Sequence, residues 1–385
     1  MEYEDIIHRC FRCGYCKFPE DYHDINCPSY RKFGFETYSP GGRMWLIKAW
    51  LNKEINTSNR YGEILYSCAT CGNCMEHCVM PFKDDLLNIF EAAKAELVNG
   101  GIIPPGVRDY FKAINVNLNP YKEPQDTRSD WVQDAGIEMY SGQEYLFYVG
   151  DVGSFDERGK RMARSVAKVL KEAGVSMGIL GSEETCDGNE VKVLGEEGLF
   201  QFLAEKNITQ FNELGIKKII TLDPHAFNVF KKEYPDLGGR FLVWHYSQVL
   251  AELARDKKLP LHEFKAKVTY HDPCYLGRHN RVYDEPRRIL KAIPGLELVE
   301  MSRNRENAYC CGGGGGNFFT DILGMGEDSP SRIRVREALD TGADILAVAC
   351  PVCAKMFEDA VKTEEIEDRL KIMDLAEIII EARNQ

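Results

Sequence analysis

Cys10-x2-Cys13-x2-Cys16 and Cys68-x2-Cys71-x2-Cys74 each put three thiols on one short loop. A fourth cysteine accompanies each triplet: Cys27, followed by Pro28, and Cys78, three residues beyond Cys74. Of the fourteen cysteines, six remain: Cys186 alone, then Cys274, Cys310, Cys311, Cys350 and Cys353. A disulfide framework spaces its half-cystines. Here the thiols are bunched, and the adjacent pair Cys310-Cys311 runs into five glycines, Gly312 to Gly316. Clustering of this kind points to metal.

The two triplets have the spacing by which a loop grips three corners of an iron–sulfur cube, the fourth ligand coming from the other motif. This assigns Cys10, Cys13, Cys16 and Cys78 to one cubane [4Fe–4S] cluster, and Cys68, Cys71, Cys74 and Cys27 to a second. Gly14 and Gly72 lie inside the loops, where backbone amides can point at cluster sulfur. Cys78 departs from the usual pattern in not being followed directly by proline. A pair of zinc sites is the competing reading, but zinc loops favour a CxxC pair over a CxxCxxC triplet.

Near the C-terminus, five thiols are one too many for a simple tetrahedral ion. Adjacent cysteines in an extended turn point in different directions, so one segment can bind two metal atoms or bridge them, and the glycines let the backbone come close. On spacing alone, an iron–sulfur assembly and a zinc site with a spare buried cysteine both stand.

The elements that must hold these thiols follow from periodicity. The chain has 385 residues, 44% of them hydrophobic, and a net charge of −12. That length allows two or three domains, and the acidic surface speaks against broad nucleic-acid or anionic-membrane binding. No run of about 18 apolar residues suggests a span, and "MEYEDIIHRC" has no apolar signal core. A cytoplasmic protein without a transmembrane segment is expected. Residues 1–114 read as short helices around cysteine loops, including amphipathic stretches over 41–54 and 82–100. Met44, Trp45 and Trp50 are core positions of the first of these. Residues 115–143 carry prolines and polar residues without a clean period and read as a linker. From residue 144 onward, short apolar strands (144–150, 176–181, 217–223, 240–246, 267–272, 296–301, 343–350) alternate with helices (157–174, 196–215, 285–293, 331–342). That alternation implies parallel sheets covered by helices.

This region is an internal repeat. Asp151, Cys186-Asp187-Gly188 and Asp223-Pro224-His225-Ala226 recur about 125 residues later as Cys274, Cys310-Cys311-Gly312 and Cys350-Pro351-Val352-Cys353. Two copies of one α/β unit, 144–258 and 259–385, follow, each with its site at the carboxyl ends of its strands.

The stretches "YHDPCYLGRHN" (270–280), "ENAYCCGGGGG" (306–316) and "ACPVCAKMF" (349–357) resemble the cysteine-rich CCG domain of the heterodisulfide reductase B and D subunits. That domain also occurs in the iron–sulfur subunits of lactate and glycolate oxidation systems. The layout, a two-cluster ferredoxin domain and then tandem CCG units, resembles the D-type chain of those reductases over nearly the whole sequence. The implied fold class is α/β: a small, mostly helical ferredoxin domain followed by two Rossmann-like CCG units. The resemblance implies a noncubane [4Fe–4S] cluster on Cys274, Cys310, Cys311, Cys350 and Cys353. The first unit departs from the pattern. Where the family often has cysteine, it has Asp151, Asp187, Asp223 and Ala226. The alternatives there are a vestigial scaffold and a mononuclear metal, such as zinc, on Cys186, Asp151, Asp223 and His225.

The expected function is an iron–sulfur electron-transfer subunit of a heterodisulfide-reductase-like oxidoreductase complex. Its competitors are a catalytic subunit that reduces a disulfide, the iron–sulfur subunit of a lactate- or glycolate-type dehydrogenase, and a zinc-stabilised binding module. No flavin motif is visible, so a flavoprotein partner is expected, with a thiol or disulfide as a candidate substrate and docking to a membrane partner as an open arrangement. The catalytic residues are not identified. His77 and His271 read as hydrogen-bonding or packing residues, and Arg303 and Arg305 as a solvated basic loop.

Overall fold

The computed structural model describes residues 1, 3–19, 24–132 and 136–384. The front of the chain is a set of helices, Pro28–Phe33, Pro40–Leu51, Asn59–Tyr66, Leu86–Asn99 and Pro105–Asn117, laced around the cysteine loops. Helix Pro40–Leu51 begins where proline presets its first turn and Ser39 Oγ accepts from the Gly42 amide at 3.0 Å. Met44 is buried, whereas Trp45 and Trp50 are half-buried.

Eight short strands follow: β1 (Tyr145–Tyr148), β2 (Met177–Gly178), β3 (Lys218–Thr221), β4 (Leu242–His245), β5 (Ala266–Tyr270), β6 (Leu296–Leu298), β7 (Ile345–Val348) and β8 (Lys371–Asp374). They form two parallel four-stranded sheets of the same order, β2-β1-β3-β4 and β6-β5-β7-β8. The repeat in the sequence is therefore a repeat of topology. The stretch 371–382 splits into β8 and a closing helix, Leu375–Asn384. Helices Pro224–Lys232, Tyr246–Arg255 and Pro351–Thr363 complete the covering layers and are not among the helices expected from period.

The inner strands of the first sheet, β1 and β3, are buried on both faces, which is why they read as continuous apolar runs. Successive side chains of β1 alternate. Leu146 and Tyr148 face the core built with helical residues such as Ile89, Phe90 and Ile114. Phe147 and Val149 face the core shared with Val268, Leu346 and Ile378 of the second unit. One sheet thus joins the front helices to the second unit.

The segment 115–143 is not an open tether. Its 3-10 turn, Gln125–Val132, buries Trp131 edge-on against Phe147, with ring centroids 6.2 Å apart. It also carries Arg128, whose guanidinium meets Asp151 at 2.8 Å and Glu184 at 3.0 Å. A buried arginine and a three-residue period leave no apolar signature of helical spacing, so composition alone reads as a linker here. Residues 133–135 of the segment lie outside the described residues. Among the described residues no helix is long and apolar enough to cross a membrane.

Candidate metal centres and their junction

An outer cavity of about 330 Å3 is lined by Cys10, Cys13, Cys16 and Cys78. Cys13 is exposed and Cys16 buried. Trp45 Nε1 donates to the Cys10 carbonyl at 2.8 Å and holds the loop. Burial pushes the Cys16 thiol up to about 12 and also raises Cys10 and Cys78. An inner cavity of about 320 Å3 is lined by Cys27, Cys68, Cys71 and Cys74, with Cys16 on its wall as well. Burial raises Cys27 and Cys74. Cys71 is raised by the neighbouring Cys310 and then by burial.

Four thiolates around one zinc lie about 3.8 Å apart, given Zn–S bonds of about 2.3 Å in a tetrahedron. Among the described residues, the only group with three donor atoms within 4.8 Å of one another is His271, Cys311 and Cys353. The eight front thiols therefore surround voids wider than a single zinc needs, and all-thiol donor sets suit iron–sulfur clusters.

In the second α/β unit, Cys274 follows β5, Cys310 and Cys311 precede the glycine run, and Cys350 caps helix Pro351–Thr363 from the end of β7. All five of these thiols are buried. Cys353 Sγ donates to Cys311 Sγ at 3.3 Å, and Cys310 packs against Cys274. Backbone amides reach the sulfurs: Gly312 to Cys310 at 3.3 Å, Gly313 to Cys311 at 3.5 Å and Cys353 to Cys350 at 3.5 Å. The neighbouring Cys310 and then Cys353 pull Cys311 well below the usual thiol range. Arg334 Nε donates to His271 Nδ1 at 3.2 Å. Because a guanidinium only donates, the ring proton of neutral His271 sits on Nε2. A lone ion on His271, Cys311 and Cys353 would leave Cys274, Cys310 and Cys350 idle, so the five thiols fit a multi-metal group better than a single ion. When bound, iron–sulfur groups supply one-electron storage and transfer.

The inner and C-terminal thiol groups meet directly. Cys71 packs with Cys310 and Cys274 in one buried cluster. The rest of the "YHDPCYLGRHN" stretch grips the same loop: Tyr275 OH lies 2.9 Å from Thr70 Oγ1, His279 Nε2 2.9 Å from the Thr70 carbonyl, and Arg278 Nε donates to the Cys71 carbonyl at 2.7 Å. The glycine run makes this contact sterically feasible. A Cβ on Gly315 would stand 2.2 Å from the Cys68 carbonyl oxygen, and one on Gly314 would stand 2.7 Å from that of Ala69. The glycines thus admit the neighbouring cysteine loop as well as serving the thiols that precede them. Arg303 is not solvated: it is buried, its Nε donates to Glu337 at 2.6 Å and its Nη1 to the Ile25 carbonyl at 3.0 Å. Arg305 stays exposed and pairs with Asp284 at 2.8 Å.

In the first unit, Asp151, Cys186, Asp223 and His225 do line one cavity of about 350 Å3, together with Asp187 and Glu190. No three of their donor atoms come within 4.8 Å, and other partners hold them. Arg128 takes Asp151, and Asp223 caps helix Pro224–Lys232 by accepting from the His225 amide at 2.7 Å. His225 Nδ1 lies 3.1 Å from Glu190, whose other oxygen accepts from the Gly316 amide. Burial and then Asp151 push Asp187 up to about 7. Through Glu190 this group reaches the second unit's glycine loop.

Thiol-lined voids in a helical front part, followed by two parallel α/β repeats with a five-cysteine site on the second, define an iron–sulfur protein of tandem cysteine-rich units. Residues 6–81 match the 4Fe-4S dicluster domain, and residues 152–231 and 268–358 match the cysteine-rich domain CCG. Over 400 residues the chain is 30% identical to the D-type chain of the dihydromethanophenazine:CoB–CoM heterodisulfide reductase of Methanosarcina barkeri, with 97% of this chain and 93% of that protein covered. The chain belongs to the CCG-domain iron–sulfur oxidoreductase family that includes that reductase component. It is also 40% identical over 334 residues to the probable iron-sulfur-binding oxidoreductase FadF of Bacillus subtilis (83% of this chain, 46% of that protein). Over 334 residues it is 37% identical to the EtfAB:quinone oxidoreductase of Syntrophomonas wolfei, with the same coverage of 83% and 46%. The chain spans about half the length of these two relatives.

Proposed function

We propose that the chain relays single electrons within an oxidoreductase complex, through two cubane clusters to or from one noncubane cluster. Cys10, Cys13, Cys16 and Cys78 hold the outer cubane, and Cys27, Cys68, Cys71 and Cys74 the inner one. Cys274, Cys310, Cys311, Cys350 and Cys353 hold the noncubane cluster. The observation that carries this reading is the packing of Cys71 and Cys310 in one buried cluster with Ala69, Cys274 and Tyr275. It joins the inner thiol group to the C-terminal one, while the outer group reaches solvent at Cys13. The working division is 1–114, 144–258 and 259–385, with 115–143 between the first two. A two-electron donor must be coupled to one-electron carriers by a flavin. The name EtfAB:quinone oxidoreductase in a relative supports a flavoprotein partner. A cytoplasmic setting, with docking on a membrane partner, completes the proposal.

One observation favours a second reading, disulfide reduction at the C-terminal thiols. A cleft runs from Gly312, the residue after Cys311, along Phe318, Leu323, Pro330 and Met356. Rapid disulfide reduction by the isolated, pre-reduced chain would put this reading first. The test of the relay itself is metal analysis of anaerobically purified protein. About twelve iron atoms per chain are expected from three four-iron clusters, and Cys311→Ser should remove one spectroscopic signal and leave two. Zinc in place of iron would end the proposal.

A further inference from the structure

Seven arginines are buried: Arg43, Arg128, Arg158, Arg278, Arg287, Arg303 and Arg334. Five of them pair with a carboxylate: Arg128 with Asp151, Arg158 with Glu377, Arg287 with Asp272, and Arg303 and Arg334 with Glu337. Among the described residues the other two have only neutral partners. Arg43 Nε donates to the Ile64 carbonyl at 2.9 Å, Nη1 to the Tyr38 carbonyl at 2.7 Å, and Nη2 to the Ser29 and Ser67 hydroxyls at 2.9 and 2.8 Å. Arg278 Nε donates to the Cys71 carbonyl at 2.7 Å, and Nη1 to the Glu306 and Ala308 carbonyls at 3.2 and 2.5 Å.

Both arginines without a carboxylate flank the inner thiol group. Arg43 lines the cavity of Cys27, Cys68, Cys71 and Cys74, and its charge acts on Cys27 against that thiol's burial. Arg278 sits at the junction. It is buried, and its Nε reaches the carbonyl of Cys71. A guanidinium cannot shed its proton in a protein, and a buried charge without a counter-charge is costly. Two such cations around one cavity require an anion between them, and thiolates bearing a metal group supply one. The outer group has no such pair. Its cations Arg12 and Lys48 lie over Trp45, at 4.1 and 4.5 Å, on a solvent-exposed rim, where water screens them.

We propose that Arg43 and Arg278 act as positioning residues that set the inner ferredoxin-type site at a higher reduction potential than the outer one. The added negative charge of reduction is then stabilised at the inner site, beside Cys310, and not at the rim. This rests on the relay reading and goes beyond it by ordering the two sites.

The test is a dithionite titration of the anaerobically purified full chain, followed by electron paramagnetic resonance. Cys13→Ser identifies the outer signal, because Cys13 lines only the outer cavity. The inner signal should appear at the higher potential. Arg278→Gln should weaken electron uptake at the inner site at least tenfold, about 59 mV for one electron, leave the outer signal in place, and lower the potential of the C-terminal signal as well. Arg43→Gln should shift the inner signal alone, and Arg278→Lys should retain most of the wild-type potential. If Arg278→Gln loads no iron at the inner site, Arg278→Lys decides. Wild-type-like potentials with full iron support the charge role, and loss of iron there too overturns it. Unchanged potentials in both glutamine variants, or equal shifts of all signals, would also overturn it. A chain without iron would instead defeat the relay reading and leave the ordering without a subject.

Discussion

Cys16 shows what a buried thiol costs the metal-free chain and what it offers a metal. Burial moves it from the usual 9.0 to about 12. A folded-state pKa above the unfolded one means that the neutral form is favoured by folding. That contribution is whole below pH 9.0 and is lost as pH climbs towards about 12. The metal-free chain should therefore lose stability across that window in denaturant titrations, and the iron-loaded chain, whose thiolates are already committed, should be flatter. Loading itself must displace these protons and should weaken on acidification. Cys311 behaves in the opposite way, since the neighbouring Cys310 and Cys353 pull it below the usual range. Such opposite behaviour in buried thiols of one chain is invisible in spacing, because it depends on which neighbours lie beside each thiol.

The glycine run and the "YHDPCYLGRHN" stretch act as elements. The sequence shows five glycines in a row but not what they admit, because the loop that fills the space lies some 240 residues upstream. Gly315 has φ +63° and its Cβ would meet a backbone oxygen at 2.2 Å, whereas Gly324, φ +67°, faces open space. Gly324→Ala should thus cost only backbone strain, about 1 kcal/mol. Gly315→Ala should cost more than about 2 kcal/mol, because a backbone atom must move as well, and it should lower iron content at the inner site. Thermal melts together with iron assays on the two variants separate strain from docking. The 3-10 turn Gln125–Val132 makes the same point for a segment that reads as a linker. Arg128 and Trp131 are core residues there, but polar composition hides them.

At the scale of the whole molecule, the front helices, the first sheet and the second unit share two continuous cores. Ion pairs also cross between the units. Arg158 meets Glu377 through two contacts of 2.7 Å and Glu358 at 2.7 Å, some 200 residues away along the chain. The chain should therefore unfold in a single calorimetric transition, without separate melting of the two repeats. Arg158→Met should lower that transition as a whole, by about 3 kcal/mol for a broken, largely buried pair. Two resolved transitions would show that the units are independent. The sequence by itself determined the cysteine grouping, the α/β alternation and the duplication, because spacing and period are written along neighbouring residues and need no partner. Only the tertiary structure decided that Cys71 packs against Cys310, that Arg43 and Arg278 stand without a carboxylate, and that Glu190 of the first unit meets Gly316 of the second. Those facts are distances and counter-charges between residues far apart in the chain, and no local pattern encodes them.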